Sequence, residues 1–299
     1  MTEHRTVLVV GGGLVGGSVR RRLIQEGWSV ITARRTAHAA TDHVLDVATE
    51  GGRAALSRTV AAGAYSACVL IHGPSDVSWC DSNQALAIAA HQGAAAAVSG
   101  LGVTVVLVST DNVFAGDRAS YGVDARVAPL NAYGRAKLLA EREVLSDPTG
   151  RVIRVSLVYG PREDPQLRPN FAEDCLLSAQ DPRATFAAPV DQSFTPIFVD
   201  DAGDAVARVA SQPSDAPRLI HVAGRETCSR FEFAQEAYRV AGADPSRVVP
   251  VDRRATRWAS RPRYSCLQET ASALDPRLCP RSIHDGLVET WSRAADQRN

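Results

Sequence analysis

A strand-like apolar run over residues 6–10 leads directly into Gly11-Gly12-Gly13-Leu14-Val15-Gly16, which opens a helix that stops at Gly27. No other feature of the chain narrows its fold as far. G-x-G-x-x-G at a strand-to-helix junction uses glycine for a tight turn, for close backbone approach to a pyrophosphate, and for packing helix on strand. The phosphate then rests on the helix N-terminus, where unbonded N–H groups and the helix dipole favour an anion. A glycine cluster alone also makes an ordinary turn, so its meaning depends on the segments downstream.

Those segments alternate. Strand-like runs fall at 28–33, 43–47, 67–72, 103–109 and 151–159. Helix-like stretches fall at 83–99, rich in alanine, and at 132–145, between Pro129 and Pro148. Such an order implies an α/β fold, a Rossmann-type doubly wound parallel sheet. After Gly160, Pro161, Pro165, Pro169, Pro182, Pro189 and Pro196 exclude long regular helix. The expected division is a cofactor-binding part over 1–160 and a smaller C-terminal substrate-binding part over 161–299. A run near 218–223 reads as one more strand returning to the sheet.

Strand two ends in Thr32-Ala33-Arg34-Arg35. An NAD site places an acid there for the ribose 2′-hydroxyl; two guanidiniums instead favour a 2′-phosphate, hence NADP(H). Equally, Arg34 and Arg35 are two solvated charges in an arginine-rich chain. Asp46-Val47, after strand three, either borders the adenine or makes a plain turn.

Of 33 basic residues, one is lysine: Lys137. A position that keeps its ammonium while every other basic position is arginine needs a compact point charge and not a flat fork. Tyr133 lies at i−4, on the same helix face. A tyrosine with a pKa of about 10 exchanges protons poorly at neutral pH, and a fixed ammonium favours the phenolate. A hydroxyl at the end of strand five, from Ser109-Thr110, would complete a carbonyl-polarising site outside the strand ends.

Formal net charge is zero, so the chain has no general attraction for nucleic acid or an anionic membrane. No apolar run approaches the roughly 20 residues of a membrane span, and the N-terminus lacks a signal-peptide layout. Cys68, Cys80, Cys175, Cys228, Cys266 and Cys279 are scattered, and the seven histidines form no ligand-spaced group. Reduced thiols, a cytoplasmic location and no metal site are the expectation. Phe231 and Phe233 are expected to pack a helix on the core.

These motifs carry a resemblance. The chain is similar to the extended short-chain dehydrogenases/reductases, and among them to the dTDP-4-dehydrorhamnose reductase group of deoxysugar ketoreductases. Val108-Ser-Thr-Asp-Asn-Val-Phe114 resembles the group's S-T-D-x-V-F stretch, and Pro129-Leu-Asn-Ala-Tyr-Gly-Arg-Ala-Lys-Leu138 its P-x-N-x-Y-G-x-S-K-L. Val158-Tyr-Gly160, Asn170-Phe171, Asp191-Gln192 with Thr195-Pro196, and Arg261-Pro262 with Ser265 also fall in register. The resemblance implies a catalytic triad of Thr110, Tyr133 and Lys137. It implies cofactor contacts at Gly11, Gly13, Leu14, Val15, Gly16, Arg34, Arg35, Asp46, Val47, His72, Gly73, Tyr133 and Lys137. Substrate contacts are implied at Asp76, Asn112, Asn170, Phe171, Gln192 and Arg261. Arg253, Arg254, Arg257, Arg261 and Arg263 form a basic run that either clamps a diphosphate or faces solvent; Arg261 is its best candidate.

The chain also departs from the group. Its glycine loop is one residue shorter than G-x-x-G-x-x-G. His72-Gly73-Pro74-Ser75-Asp76-Val77 replaces an alanine-rich stretch with a tyrosine, and Ser193-Phe194 replaces a glycine segment. The tryptophan usual before V-Y-G is absent. The expected activity is NADPH-dependent reduction of a nucleotide-linked 4-keto sugar, with a homodimer as one permitted assembly. The alternatives are an epimerase or dehydratase of the same superfamily, or a non-catalytic NADP-binding regulatory subunit. Dehydratases tend to carry T-D-E where this chain has Thr110-Asp111-Asn112.

Overall fold

The computed structural model describes residues 5–37, 42–164 and 166–296; Pro165 lies outside them. Seven strands, β1 (Thr6–Val10), β2 (Ser29–Arg34), β3 (His43–Val44), β4 (Ala67–Leu70), β5 (Thr104–Thr110), β6 (Arg151–Val155) and β7 (Leu219–Val222), form one sheet in the order β7-β6-β5-β4-β1-β2-β3. Every pairing in it is parallel. A parallel sheet is covered on both faces, so its central strands read as continuous apolar runs and not as alternation. Strand order reverses at β1, flanked by β2 on one side and β4 on the other. A crevice opens at that switch point, outside the carboxyl ends of the strands.

Alternate residues of β1 point to opposite faces. Val7 and Val9 pack with Val19 and Leu23 of α1 (Leu14–Gln25) and with Val206 and Val209, further along the chain. Leu8 and Val10 pack with Leu56 and Val60 of α2 (Glu50–Ala62) and beyond them a longer helix pair. After a short α3 (Val77–Ser82), that pair is α4 (Gln84–Val98) and α5 (Ala132–Ser146), which supply Ala94, Val98, Ala140 and Val144. Each such fully buried Leu or Val contributes about 1.5–3 kcal/mol. The rest of the chain gives α6 (Phe171–Gln180), α7 (Val199–Ser211), α8 (Arg230–Val240) and α9 (Ile283–Asp296). Val206 and Val209 belong to α7. A third core joins Phe171, Leu176, Phe194, Phe233, Tyr238 and Trp258.

The structure differs from the sequence expectation in three places. Helices α2, α3, α6, α7 and α9 were not anticipated. The single strand expected over 151–159 breaks after Val155, where the Ser156 hydroxyl lies 3.1 Å from both Asp111 Oδ2 and the Ser265 carbonyl oxygen and shares its one proton between them. It resumes as Val158–Tyr159, paired with Ile197–Phe198. Third, β3 is only two residues long, and Asp46 and Val47, expected at its exit, form the turn into α2. No helix among the described residues is long and apolar enough to cross a membrane.

Candidate active site

The glycine loop leaves β1 with Gly11 at φ +116°, a backbone state that side chains disfavour, and a Cβ there would lie 2.6 Å from the Ile71 carbonyl oxygen. Gly16 faces the Gly11 carbonyl so closely that any side chain would clash. Gly13 is the N-cap of α1, no side chain caps the helix, and the space over Gly13 is open. The first-turn N–H groups therefore remain available to an anion. Beside them lies a cleft of about 480 Å³, bordered by Gly12, Gly13, Thr32, Arg34 and Asp164. The Thr32 hydroxyl is buried there and has no hydrogen-bond partner among the described residues. This cradle fits a dinucleotide pyrophosphate.

Arg34 lies across Gly12 and pairs with Asp164 at 3.2 Å. Arg35 is exposed. Asp46 does not border the cleft: its carboxylate accepts from Ala48 N–H at 3.1 Å, and its carbonyl accepts from the Thr49 hydroxyl, while Val47 is buried in the core beside Leu56. His72 is buried. One ring nitrogen bonds the Ala90 carbonyl at 2.8 Å, and burial, with Lys137 nearby, pulls its pKa down to about 3. Gly73, at φ +93°, packs against the His91 ring, which stacks edge-on to Tyr133 at 5.7 Å. His91 is also held neutral by burial and by Lys137.

The reacting groups meet where β5 ends and α5 begins. Asn131 caps α5, accepting from Gly134 N–H at 2.8 Å, and its amide donates to Asn112 Oδ1 at 3.0 Å. Tyr133 stands in the first turn and Lys137 one turn on. Lys137 is 3% exposed and its Nζ donates to the Val108 carbonyl at 2.6 Å. Burial lowers its pKa to about 8, against the opposing field of Glu141. Tyr133 is pushed above its ordinary pKa by burial and by Asp111, with a hydrogen bond from the Thr110 side chain and the charge of Arg261 opposing. Burial and Asp111 outweigh the groups that oppose them, so the net shift of the phenol is upward, where the sequence reading expected a fall. The Thr110 hydroxyl lies 3.1 Å from Asp111 Oδ1 and also reaches Tyr133, so its one proton is shared between them. To polarise a carbonyl, Thr110 must redirect it. Burial raises the Asp111 pKa to about 6 despite bonds from Thr110, Ser156 and Asn112.

The expected substrate residues divide. Arg261 comes close enough to act on Tyr133. Phe171 lies in the third core and Gln192 is buried beside Arg230. Asp76 caps α3 at Trp79 N–H and pairs with Arg168 at 2.9 Å. Asn170 is spent on a capping box with Glu173 and on the Gly160 carbonyl at 2.7 Å. Asn112 gives its amide to Asp111 at 2.8 Å. Ser156 and Arg230 were not singled out from the sequence; each shows its role only through partners distant in the chain.

The sheet order, the glycine cradle and a Tyr-x-x-x-Lys stripe beside the β5 exit make this an extended short-chain dehydrogenase/reductase fold. The family model described as RmlD substrate binding domain matches residues 5–295, and the chain belongs to that family. It is 30% identical over 276 residues to the dTDP-4-dehydrorhamnose reductase of Mycolicibacterium smegmatis, covering 90% of this chain and 80% of that one. It is 34% identical over 166 residues to a probable dTDP-4,6-dihydroxy-2-methyloxan-3-one 4-ketoreductase of Streptomyces antibioticus, about half of each chain (54% of both). The fold matches the crystal structure of the Bacillus anthracis dTDP-4-dehydrorhamnose reductase in complex with NADP, with a TM-score of 0.80 at 22% identity over 96% of this chain and 99% of that one.

Proposed function

We propose that the protein is an NADPH-dependent ketoreductase acting on a nucleotide-linked 4-keto sugar. The observation that carries this reading is the sole lysine, buried one turn after Tyr133 and anchored to β5 beside Thr110. The reductase names of its relatives agree with it. The glycine cradle would hold NADPH, whose chemistry when bound is to provide the hydride for the carbonyl carbon.

The protein's own groups manage the proton. Tyr133, held protonated at neutral pH by burial, is the donor to the oxygen as it gains charge. Lys137, still charged at neutral pH, stabilises the phenolate left behind. Thr110 donates to the same oxygen once its proton leaves Asp111, and Asn112 holds Thr110 and Asp111 in place. Arg34 would hold the 2′-phosphate in exchange for Asp164. Incubation with NADPH and a set of nucleotide-linked 4-keto-6-deoxyhexoses tests the reading. The expected result is stoichiometric NADPH oxidation with a product two hydrogens heavier; the absence of oxidation with every member of the set overturns it.

A further inference from the structure

The group that faces Arg34 is itself an anion. Asp164 Oδ2 accepts from Arg34 Nη2 at 3.2 Å, and the two side chains are only 11% and 12% exposed. Asp164 is held in that position by its own turn: Oδ1 accepts from Gln166 N–H at 2.9 Å, and its carbonyl accepts from Leu167 N–H at 3.0 Å. The residue before it, Glu163, pairs with Arg21 of α1, which ties the same stretch of chain to the helix behind the glycine loop. The pair also draws Arg34 across that loop, so that a Cβ on Gly12 would collide with Arg34 Nε. Asp164, Arg34 and Leu167 share the border of the cleft with Gly12 and Gly13.

A neutral side chain at position 164 would leave the Arg34 fork open to a phosphate. The carboxylate instead takes the place that a 2′-phosphate needs, with the same charge-assisted chemistry. The two anions cannot both hold one guanidinium without repelling each other. Cofactor binding therefore breaks the Arg34–Asp164 pair, and the worth of that pair is subtracted from the affinity. The exchange also lifts Arg34 off Gly12, where the pyrophosphate must approach the backbone. NADPH and NADP+ carry the same 2′-phosphate, so the subtraction acts on the spent cofactor as much as on the fresh one.

We propose that Asp164 is an internal competitor for the 2′-phosphate, which weakens NADP(H) binding and speeds the release of NADP+. This rests on the reading that Arg34 holds the 2′-phosphate. Calorimetry with NADPH and stopped-flow dissociation of NADP+ would compare the wild type, Asp164→Asn, Arg34→Ala and the double variant. Asp164→Ser, which keeps an acceptor for Gln166 N–H, serves as a second neutral replacement. Either neutral variant should tighten NADPH by about tenfold, the worth of one charge-assisted bond, and slow NADP+ dissociation by a similar factor. In the Arg34→Ala background the same substitution should change affinity by less than about twofold, the scatter of independent effects, because no pair remains to break. Folded Asp164 variants that bind NADPH as the wild type does, or more weakly, overturn the proposal. So does full tightening in the absence of Arg34. If Arg34→Ala itself leaves NADPH affinity intact, the 2′-phosphate reading falls and the competitor with it. If Arg34→Ala weakens NADPH while the Asp164 variants change nothing, the competitor alone falls.

Discussion

At the scale of single residues, the chemistry turns on whether Lys137 is charged. Its ammonium has a buried place sized for a compact donor, so Lys137→Arg should leave the protein folded and lower kcat by about 10²–10⁴-fold, the range of a lost general acid–base element. Turnover beside far-UV circular dichroism would check this, and near-normal kcat would refute it. The same group sets a pH dependence. Its pKa is lowered to about 8, so the charge is present below that value and is lost as pH rises through it. Tyr133 is shifted upward and does not titrate there. The kcat/KM profile of the wild type should therefore fall on the alkaline side of about 8, and a profile flat through that range would exclude Lys137 as its source. Arg34 carries a separate expectation. Arg34→Ala should weaken NADPH binding by about 10–100-fold, the worth of one charge-assisted bond, while NADH affinity stays put. Equal losses for both cofactors would show that Arg34 does not touch the 2′-phosphate.

Among the elements, α5 acts as a ruler. Tyr133, Lys137 and Glu141 succeed one another at four-residue steps on one face. Glu141, 1% exposed, accepts from Ser109 of β5 and from both Nε and Nη2 of Arg154 in β6, which locks the ruler against two strands. Glu141→Leu leaves Arg154 buried and unmatched and should cost about 3–5 kcal/mol in urea unfolding, whereas Glu141→Leu with Arg154→Leu should cost less. Because Glu141 raises the Lys137 pKa, Glu141→Gln should also move the alkaline limb to lower pH; a limb that stays or rises would contradict this. α5 was legible in the sequence because Pro129 and Pro148 bound it and Asn131 caps it. The runs of β1, β4 and β5 were legible because sheets buried on both faces write continuous apolar sequence. α2 and α7 were not. Gly51-Gly52 sits in the first turn of α2, and α7 starts after Phe198 without a capping side chain and carries Gly203 midway. In the site, a four-residue helical step can be read from sequence. The Arg230–Gln192 bond and the Arg34–Asp164 pair cannot, because they join segments 38 and 130 residues apart. Asn170 is a motif position whose side chain caps its own helix and bonds the Gly160 carbonyl.

For the molecule as a whole, the question is whether it reduces its substrate or rearranges it. Elimination or epimerisation beside a carbonyl needs a base in addition to Tyr133. The residue that would supply it in a dehydratase is Asn112, whose amide is bonded to Asp111 and Thr110 and has no useful basicity. The other acids that the sequence brings toward the pocket are engaged: Asp76 with Arg168 and the α3 N-terminus, Glu163 with Arg21, and Asp164 with Arg34. Asp111 remains, with a pKa raised to about 6, but it accepts from Thr110, Asn112 and Ser156, and those bonds fix it below the hydroxyls instead of beside a substrate carbon. Net reduction is therefore the expected outcome, with one ketone consumed per NADPH. The check is a nucleotide-linked 4-keto-6-deoxyhexose monitored by NMR in deuterated water. Reduction leaves the carbon next to the carbonyl protonated as it began. Deuterium entering that carbon without net cofactor oxidation would place the protein with the epimerases, and its loss in Asp111→Asn would identify the base.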